Sequence, residues 1–258
     1  MRFAFLGTSG AVPSSARDTT SLVFVAEEGA ALVDCGGSPV QKLGLAGVDP
    51  LALRHVLVTH IHPDHAYGLP SLVQNLRLLG RKDALSVSCR PEHVERLRTL
   101  LELFGLRDRP GAFPLELRGL ALDAGAPAFA LGSLRVSTSP NDHGDMPNVA
   151  VRVDVAGRAS SVVYSSDTRP CDAVVALARG ADTLIHEATF PERDRGRFGA
   201  HSTVADAGEI AARAGVRRLI LAHIAAEYHG ELDALAEEAC RRFAGVVEVA
   251  REFVPYPL

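Results

Sequence analysis

The sequence predicts an α/β (α+β) protein in which helices pack on sheets, and three observations carry that expectation. Short apolar runs break off repeatedly into abrupt polar turns, which is the punctuation of strands. Longer stretches with helical spacing alternate with them. The chain has 258 residues and 47% are hydrophobic, enough for a sizeable core without staples.

Taken in order, strands are expected at 2–6, 21–26 and 30–34. Helices follow at 70–79 and 91–104. Strands return at 134–138, 149–155, 160–165 and 183–187. A helix is expected over 203–214, opened by a capping signal in which Ser202 or Thr203 precedes Asp206. A strand at 217–222, a helix at 231–243 and a strand at 246–252 complete the series. The Pro- and Gly-rich stretches 105–114 and 124–127 read as surface loops, and neither marks a domain boundary, so one domain over 1–258 is expected.

The formal charge of −4 argues against wholesale electrostatic grip on nucleic acid, although a local basic surface stays open. All but two of the 27 basic residues are arginine; the lysines are Lys42 and Lys82. Cys35, Cys89, Cys171 and Cys240 lie far apart and form no C-x-x-C pair, which fits reduced thiols in a cytoplasmic protein. The first apolar stretch is too short for a signal-peptide core. No run of about 18 apolar residues predicts a membrane span.

Several apolar runs end directly in a titratable residue. Ala31-Leu32-Val33 ends in Asp34, and Val56-Leu57-Val58 leads to Thr59-His60. Val162-Val163-Tyr164 leads to Ser165-Ser166-Asp167, Leu184-Ile185 to His186-Glu187, and Leu219-Ile220-Leu221-Ala222 to His223. Strands ending this way deliver polar groups to a common edge.

The densest chemistry is His60-Ile61-His62-Pro63-Asp64-His65. Imidazole and carboxylate together suit zinc, and also manganese or iron. A short loop after a buried strand can aim His60 and His62 at one ion while Asp64 and His65 hold a second. A polar loop with scattered histidines is the plain alternative.

Thr59-His60-Ile61-His62-Pro63-Asp64-His65 resembles the signature of the metallo-β-lactamase superfamily. The resemblance implies a four-layer αβ/βα sandwich with two divalent metal ions at one edge of the facing sheets. It implies that His60, His62 and His143 hold one ion, that Asp64, His65 and His223 hold the other, and that Asp167 bridges them. Asp34, in Leu-Val-Asp-Cys-Gly, looks like the residue that supports the metal loop by hydrogen bonds. Two cations about 3.5–4 Å apart lower the pKa of a bridging water and clamp an in-line displacement. Asp64 would orient the resulting hydroxide.

Further motifs resemble ribonuclease Z, which trims the 3′ end of precursor tRNA. They are Phe5-Leu6-Gly7-Thr8-Ser9-Gly10, Tyr67-Gly68-Leu69-Pro70, His186-Glu187-Ala188-Thr189-Phe190 and His201-Ser202-Thr203. The likeness implies that His201 protonates the leaving oxygen with Glu187 orienting it, a step suited to a pKa near neutrality. It also implies a homodimer. Backbone N–H groups of Gly7, Thr8 and Ser9 are candidates for stabilising oxyanion charge.

Two departures redirect the expected substrate. The usual Pro-x-Lys-x-Arg-Asn loop corresponds to Pro13-Ser14-Ser15-Ala16-Arg17-Asp18, so Arg17 remains while the lysine is lost, weakening phosphate contact. Asp167 follows His143 by only 24 positions, too few for the arm that grips tRNA. The expectation is therefore an armless phosphodiesterase acting on small or cyclic diesters. True tRNA processing, ester, lactone or thioester hydrolysis on the same metals, and a non-catalytic binding protein are the alternatives. A flavodiiron oxidoreductase is disfavoured, since that branch has a carboxylate where His62 stands. Arg193, Arg195 and Arg197 are candidates for phosphate binding, with a solvated loop as the plainer reading. Phe198 is a candidate for stacking on a base.

Overall fold

Alternation along each strand decides the architecture. A computed structural model of the protein describes residues 1–107, 111–197 and 199–258. Strand β1 (Arg2–Gly7) places Phe3 and Phe5 on one face and Ala4 and Leu6 on the other, and all four are buried. With both faces covered, the strand reads as a continuous apolar run. β2 (Ser21–Ala26) and β3 (Gly29–Val33) repeat the pattern. Each runs antiparallel to its predecessor.

From there the first sheet turns parallel. α1 (Pro39–Leu45) leads to β4 (Leu53–Leu57), and α2 (Pro63–Ala66) and α3 (Leu69–Leu78) lead to β5 (Leu85–Cys89). α4 (Pro91–Leu103) then leads to β6 (Leu115–Gly119). The second sheet opens antiparallel through β7 (Ala126–Leu131), β8 (Leu134–Pro140), β9 (Val149–Val155) and β10 (Ser161–Tyr164). It becomes parallel through α5 (Asp172–Ala178), β11 (Thr183–Glu187), α6 (Val204–Ala214), β12 (Arg218–Ala222), α7 (Leu232–Cys240) and β13 (Val246–Val249). β14 (Tyr256–Pro257) crosses back to pair with β1. The sheet orders are β14-β1-β2-β3-β4-β5-β6 and β13-β12-β11-β10-β9-β8-β7.

Three apolar clusters define four layers. Phe3, Phe5, Phe24, Val136, Val151, Val162, Tyr164, Ile185 and Ile220 meet between the sheets. Leu43, Leu69, Leu72, Leu97 and Leu101 cover the outer face of the first sheet. Val174, Val204, Ile210, Leu235 and Phe243 cover the second. This is the expected αβ/βα sandwich, and each sheet carries an antiparallel and a parallel half.

Most expected elements form within two residues of their predicted ends. Thr203 settles the cap of α6: its hydroxyl accepts from the Asp206 N–H while Asp206 answers the Thr203 N–H. Three expectations are corrected, the first being the helix expected at 231–243, which ends at Cys240. The stretch 124–127 is not all loop, because Ala126 and Pro127 begin β7; proline is tolerated there because β7 is an edge strand. The strand expected at 246–252 ends at Val249. Phe253 then takes a positive φ of 61° and donates its N–H to Phe5 O, so the chain leaves one sheet for the other. α1, α2, β5, β6, β7, α5 and β14 escaped prediction. β6 (Leu115-Glu116-Leu117-Arg118-Gly119) is a largely exposed edge strand whose polar residues hide its signal. The described parts of 105–114 lie outside strands; residues 108–110 and Phe198 fall outside the described residues, and with them the stacking expectation.

All four cysteines are free thiols, Cys35 and Cys89 buried. Among the described residues no helix is long and apolar enough to cross a membrane.

Candidate metal centre

Five strands deliver the site. β3, β4, β10, β11 and β12 end at the same edge of the sandwich, and Asp34, Thr59-His60, Asp167, Glu187 and His223 follow or close them. Among the described residues four non-glycines have positive φ, and Asp34 (61°), Ser166 (52°) and His223 (57°) are three of them, all at this edge. Such backbone is costly for residues with a β-carbon and persists where surroundings over-determine it.

The loop after β4 carries His60 and His62, and Pro63 at the first helical position starts α2, which aims Asp64 and His65 inward. His60, His62, His143 and Asp167 each offer a ligand atom within 4.8 Å of the others, and so do Asp64, His65, Asp167 and His223. Thus the structure brings together all seven residues expected at the metals. His60 Nε2 and His143 Nε2 lie 2.9 and 3.1 Å from His62 Nδ1. In the second group, His65 Nε2 lies 3.1 Å from Asp64 Oδ2, and His223 Nε2 3.6 Å from it. Asp167 Oδ2 belongs to both groups: it stands 3.4 and 3.2 Å from His65 and His223, and 3.8 and 3.9 Å from His60 and His143.

The donor set fits divalent cations. A tetrahedral ion with bonds of about 2.0–2.1 Å has ligand atoms roughly 3.3 Å apart, close to these separations. Buried His65 Nε2, His223 Nε2 and Asp167 Oδ1 have no hydrogen-bond partner, which leaves lone pairs facing the centre.

Four of the five imidazoles, all but His62, are tied down from behind through their other nitrogen. His65 Nδ1 lies 2.8 Å from Asp34 Oδ2, and His143 Nδ1 2.9 Å from Ala200 O. His60 Nδ1 meets Thr59 Oγ1 at 3.2 Å, and His223 Nδ1 meets Thr189 Oγ1 at 3.1 Å. With Nδ1 donating, Nε2 keeps its lone pair, the arrangement that orients metal-binding histidines. Asp34 also accepts from the Thr59 N–H and hydroxyl at 2.8 and 2.9 Å, as a support residue should.

Electrostatics agree. Burial, reinforced by neighbouring imidazoles, holds His60 well below its ordinary range and lowers His62 and His143. Burial opposes ionisation of Asp167, but the charges of His223 and His65 outweigh it and hold its pKa well down. Burial likewise opposes a charged His65, yet Asp167 and Asp34 raise it well above its usual range. A cation at Nε2 would take that proton's place.

Beside the ligand groups sits the expected His201–Glu187 pair, with His201 Nδ1 2.9 Å from Glu187 Oε1. Glu187 is fully buried and also accepts from the Thr168 N–H and the Thr189 hydroxyl. Burial works against a charged His201, but Glu187 more than compensates and the ring is pushed up to about 9. A cavity of about 390 Å³ opens here, lined by Gly10, Ala11, Val12, Thr189, His201, His223, Ala225, Ala226 and Glu227.

The expected substrate-binding residues fare differently. Thr8 and Ser9 both donate their N–H groups to Asp18 O, at 2.9 and 2.8 Å. A β-carbon on Gly7 would stand 1.8 Å from Thr19 O, so Gly7 faces packed backbone. Thr8 and Ser9 are therefore corrected, since their N–H groups build the base of the loop and are not free as oxyanion donors, while Gly7 is a close-packing position. Arg17 turns inward to Thr8 Oγ1 and Ala250 O, at 2.8 and 2.9 Å. Arg193, Arg195 and Arg197 pair with Glu231, Asp206 and Glu227 at 2.8, 2.7 and 2.6 Å, which accords with the solvated-loop reading of this stretch. Thr59 and Thr189 stand within motifs visible in the sequence, and a hydroxyl next to a candidate ligand was their only signal. Gly10–Val12 and Ala225–Glu227 gave none.

Residues 31–224 match the family described as the beta-lactamase superfamily domain. The chain is 32% identical to a protein named Ribonuclease Z from Natronomonas pharaonis, over all of this chain and 99% of that one. It is 30% identical to a Ribonuclease Z from Methanothermobacter thermautotrophicus, over 98% and 95% of the two chains. That alignment spans 298 positions, forty more than this chain has residues. Among solved structures, the metallo-beta-lactamase fold protein YhfI from Bacillus subtilis superposes with a TM-score of 0.83 at 25% identity, covering 99% and 98% of the chains.

Proposed function

The chain belongs to the beta-lactamase superfamily, and on that premise we propose that it is a dinuclear, ribonuclease Z-like phosphodiesterase acting on small diesters. One observation carries the reading: a single oxygen, Asp167 Oδ2, is shared by two converging ligand groups, with a His201–Glu187 pair beside them. In our reading His60, His62, His143 and Asp167 hold one ion, and Asp64, His65, His223 and Asp167 the other. Both are proposed to be zinc, with manganese or iron(II) as substitutes. Bound there, such cations would activate a water and neutralise developing negative charge on the phosphate.

The chain's own residues supply the rest. Asp64 orients the attacking water by accepting its hydrogen bond. Glu187 holds the His201 ring through Nδ1, which leaves Nε2 as the atom that gives its proton to the leaving oxygen. The cavity beside His201 receives one substituent of the diester.

Small diesters are favoured by what lies between His143 and Asp167. β9 and β10 fill that interval with a short turn at 156–160, which leaves no protruding arm. The paired arginines add no free basic stripe for RNA. The second reading, tRNA 3′ processing, is favoured by full-length similarity to proteins named Ribonuclease Z. We further propose one domain over 1–258, a cytoplasmic location in keeping with the free thiols, and a homodimer. Exposed Leu78, Leu79, Leu103 and Phe104 support the last of these.

The test is a side-by-side assay with zinc and with manganese. It compares 3′-extended precursor tRNA, bis(p-nitrophenyl) phosphate, a cyclic nucleotide and p-nitrophenyl acetate. Turnover of the small phosphodiesters alone is expected. Accurate cleavage of the tRNA after its discriminator would establish the second reading, and turnover of the acetate alone would move the chemistry to carboxylic esters.

A further inference from the structure

The two sheets touch at the metal edge through hydroxyl groups. Ser166 directly precedes Asp167, is fully buried and adopts φ 52°, a region that glycine enters freely and serine does not. Its hydroxyl proton has two acceptors in reach, Thr59 Oγ1 at 2.9 Å and Asn148 Oδ1 at 3.2 Å. Thr59 belongs to the first sheet's loop and directly precedes His60. Its own hydroxyl proton goes to Asp34, and it receives His60 Nδ1 at 3.2 Å. Asn148 is buried too, and its orientation is fixed: Oδ1 accepts from the Val149 N–H at 2.7 Å, and Nδ2 donates to Asp167 O at 2.6 Å. With one proton to give, Ser166 bonds the nearer acceptor, so a chain of hydrogen bonds runs from Ser166 through Thr59 to Asp34, while Asn148 and Asn141 separately hold the Asp167 carbonyl at 2.6 and 3.1 Å.

We propose that Ser166 is a positioning residue, whose tie across the sheets to Thr59 forms a strap that, with Asn148 on the Asp167 carbonyl, holds Asp167 within reach of the His60–His62–His143 group. The inference rests on the two-metal reading above. Asp167 Oδ2 reaches His65 and His223 at 3.4 and 3.2 Å, but His60 and His143 only at 3.8 and 3.9 Å. When Asp167 drifts away from the first sheet, the longer pair of separations fails first. The strap therefore governs the cation of the His60 group more than its neighbour. It also explains why a serine persists in backbone that suits glycine: the hydroxyl has work that glycine cannot do.

Ser166→Gly separates these effects, because it removes the hydroxyl while relieving the backbone. Zinc would be titrated into metal-free protein in competition with a chromophoric chelator, resolving two affinities in the wild type. The expected result is that one affinity falls about tenfold to a hundredfold, the range for lost outer partners of metal ligands, while the other changes less than about threefold. The metal-free protein should melt at the same temperature or higher. Thr59→Ser, which keeps the hydroxyl, should hold both affinities. Unchanged affinities in Ser166→Gly, or equal weakening of both, would overturn the strap. A wild type that binds fewer than two zinc ions would overturn the reading on which it rests, and the strap with it.

Discussion

Replacing Glu187 by glutamine should move the basic limb of the pH–rate profile by a calculable amount. Glutamine keeps an oxygen that can accept from His201 Nδ1 at the observed 2.9 Å, so the geometry survives and the charge goes. In the native site burial disfavours a charged His201, but Glu187 pushes the ring up to about 9. Without that carboxylate the ring falls back towards its ordinary 6.5, since burial still lowers it while Asp167 still raises it. A general acid works while protonated, so activity is present below its pKa and lost as pH rises through it. At pH 8 a ring of pKa 9 is about nine-tenths protonated, and one of 6.5 about one part in thirty. The variant should therefore lose roughly thirtyfold at pH 8 and much less near pH 6. Cations in the adjacent groups act on both proteins, so the displacement between the two limbs persists. The assay is kcat against pH for a diester with a poor alkoxide leaving group, with bis(p-nitrophenyl) phosphate as the control that needs little protonation. A limb that stays in place in Glu187→Gln, or one that moves equally for both substrates, would refute the assignment of His201 as proton donor.

Three other substitutions probe separate links. His62→Ala should abolish most activity and lower bound metal, checked by elemental analysis of protein purified in zinc; full turnover with normal metal would refute the ligand set. Thr203→Ala removes half of the capping box at α6 and should cost about 1 kcal/mol in urea unfolding, with an unchanged midpoint counting against the cap. Leu184→Ala empties a fully buried position beneath the helices of the second sheet and should cost about 2–5 kcal/mol in the same experiment.

The sequence disclosed the site more fully than its surroundings. His60, His62, Asp64 and His65 are legible because their chemistry is compressed into six positions. Asp167 and His223 showed only as strand ends sharing an edge, and His143 was joined to them by family resemblance alone before geometry did so. β1, β3 and β12 were legible as apolar runs, whereas β5 was hidden by its buried serines, Ser86 and Ser88, and β6 by its exposed edge position. The substrate side failed for another reason. Whether Thr8 or Ser9 offers a free N–H depends on where Asp18 O lies, and whether Arg197 is available depends on Glu227, thirty positions away. Sequence gives the identity of a donor, but not whether it has already been claimed.

The division of candidate ligands between two sheets also sets an order in time. His60, His62, Asp64 and His65 emerge early in synthesis, but the first group lacks its carboxylate until Asp167 and the second stays open until His223. At about 5–20 residues per second, the nascent chain carries an open histidine cluster for roughly 10–30 s. During that interval neither candidate group is complete. Selection among competing cations therefore falls to the finished sandwich, whose shape the ion must fit, and not to whichever ion meets the ribosome first.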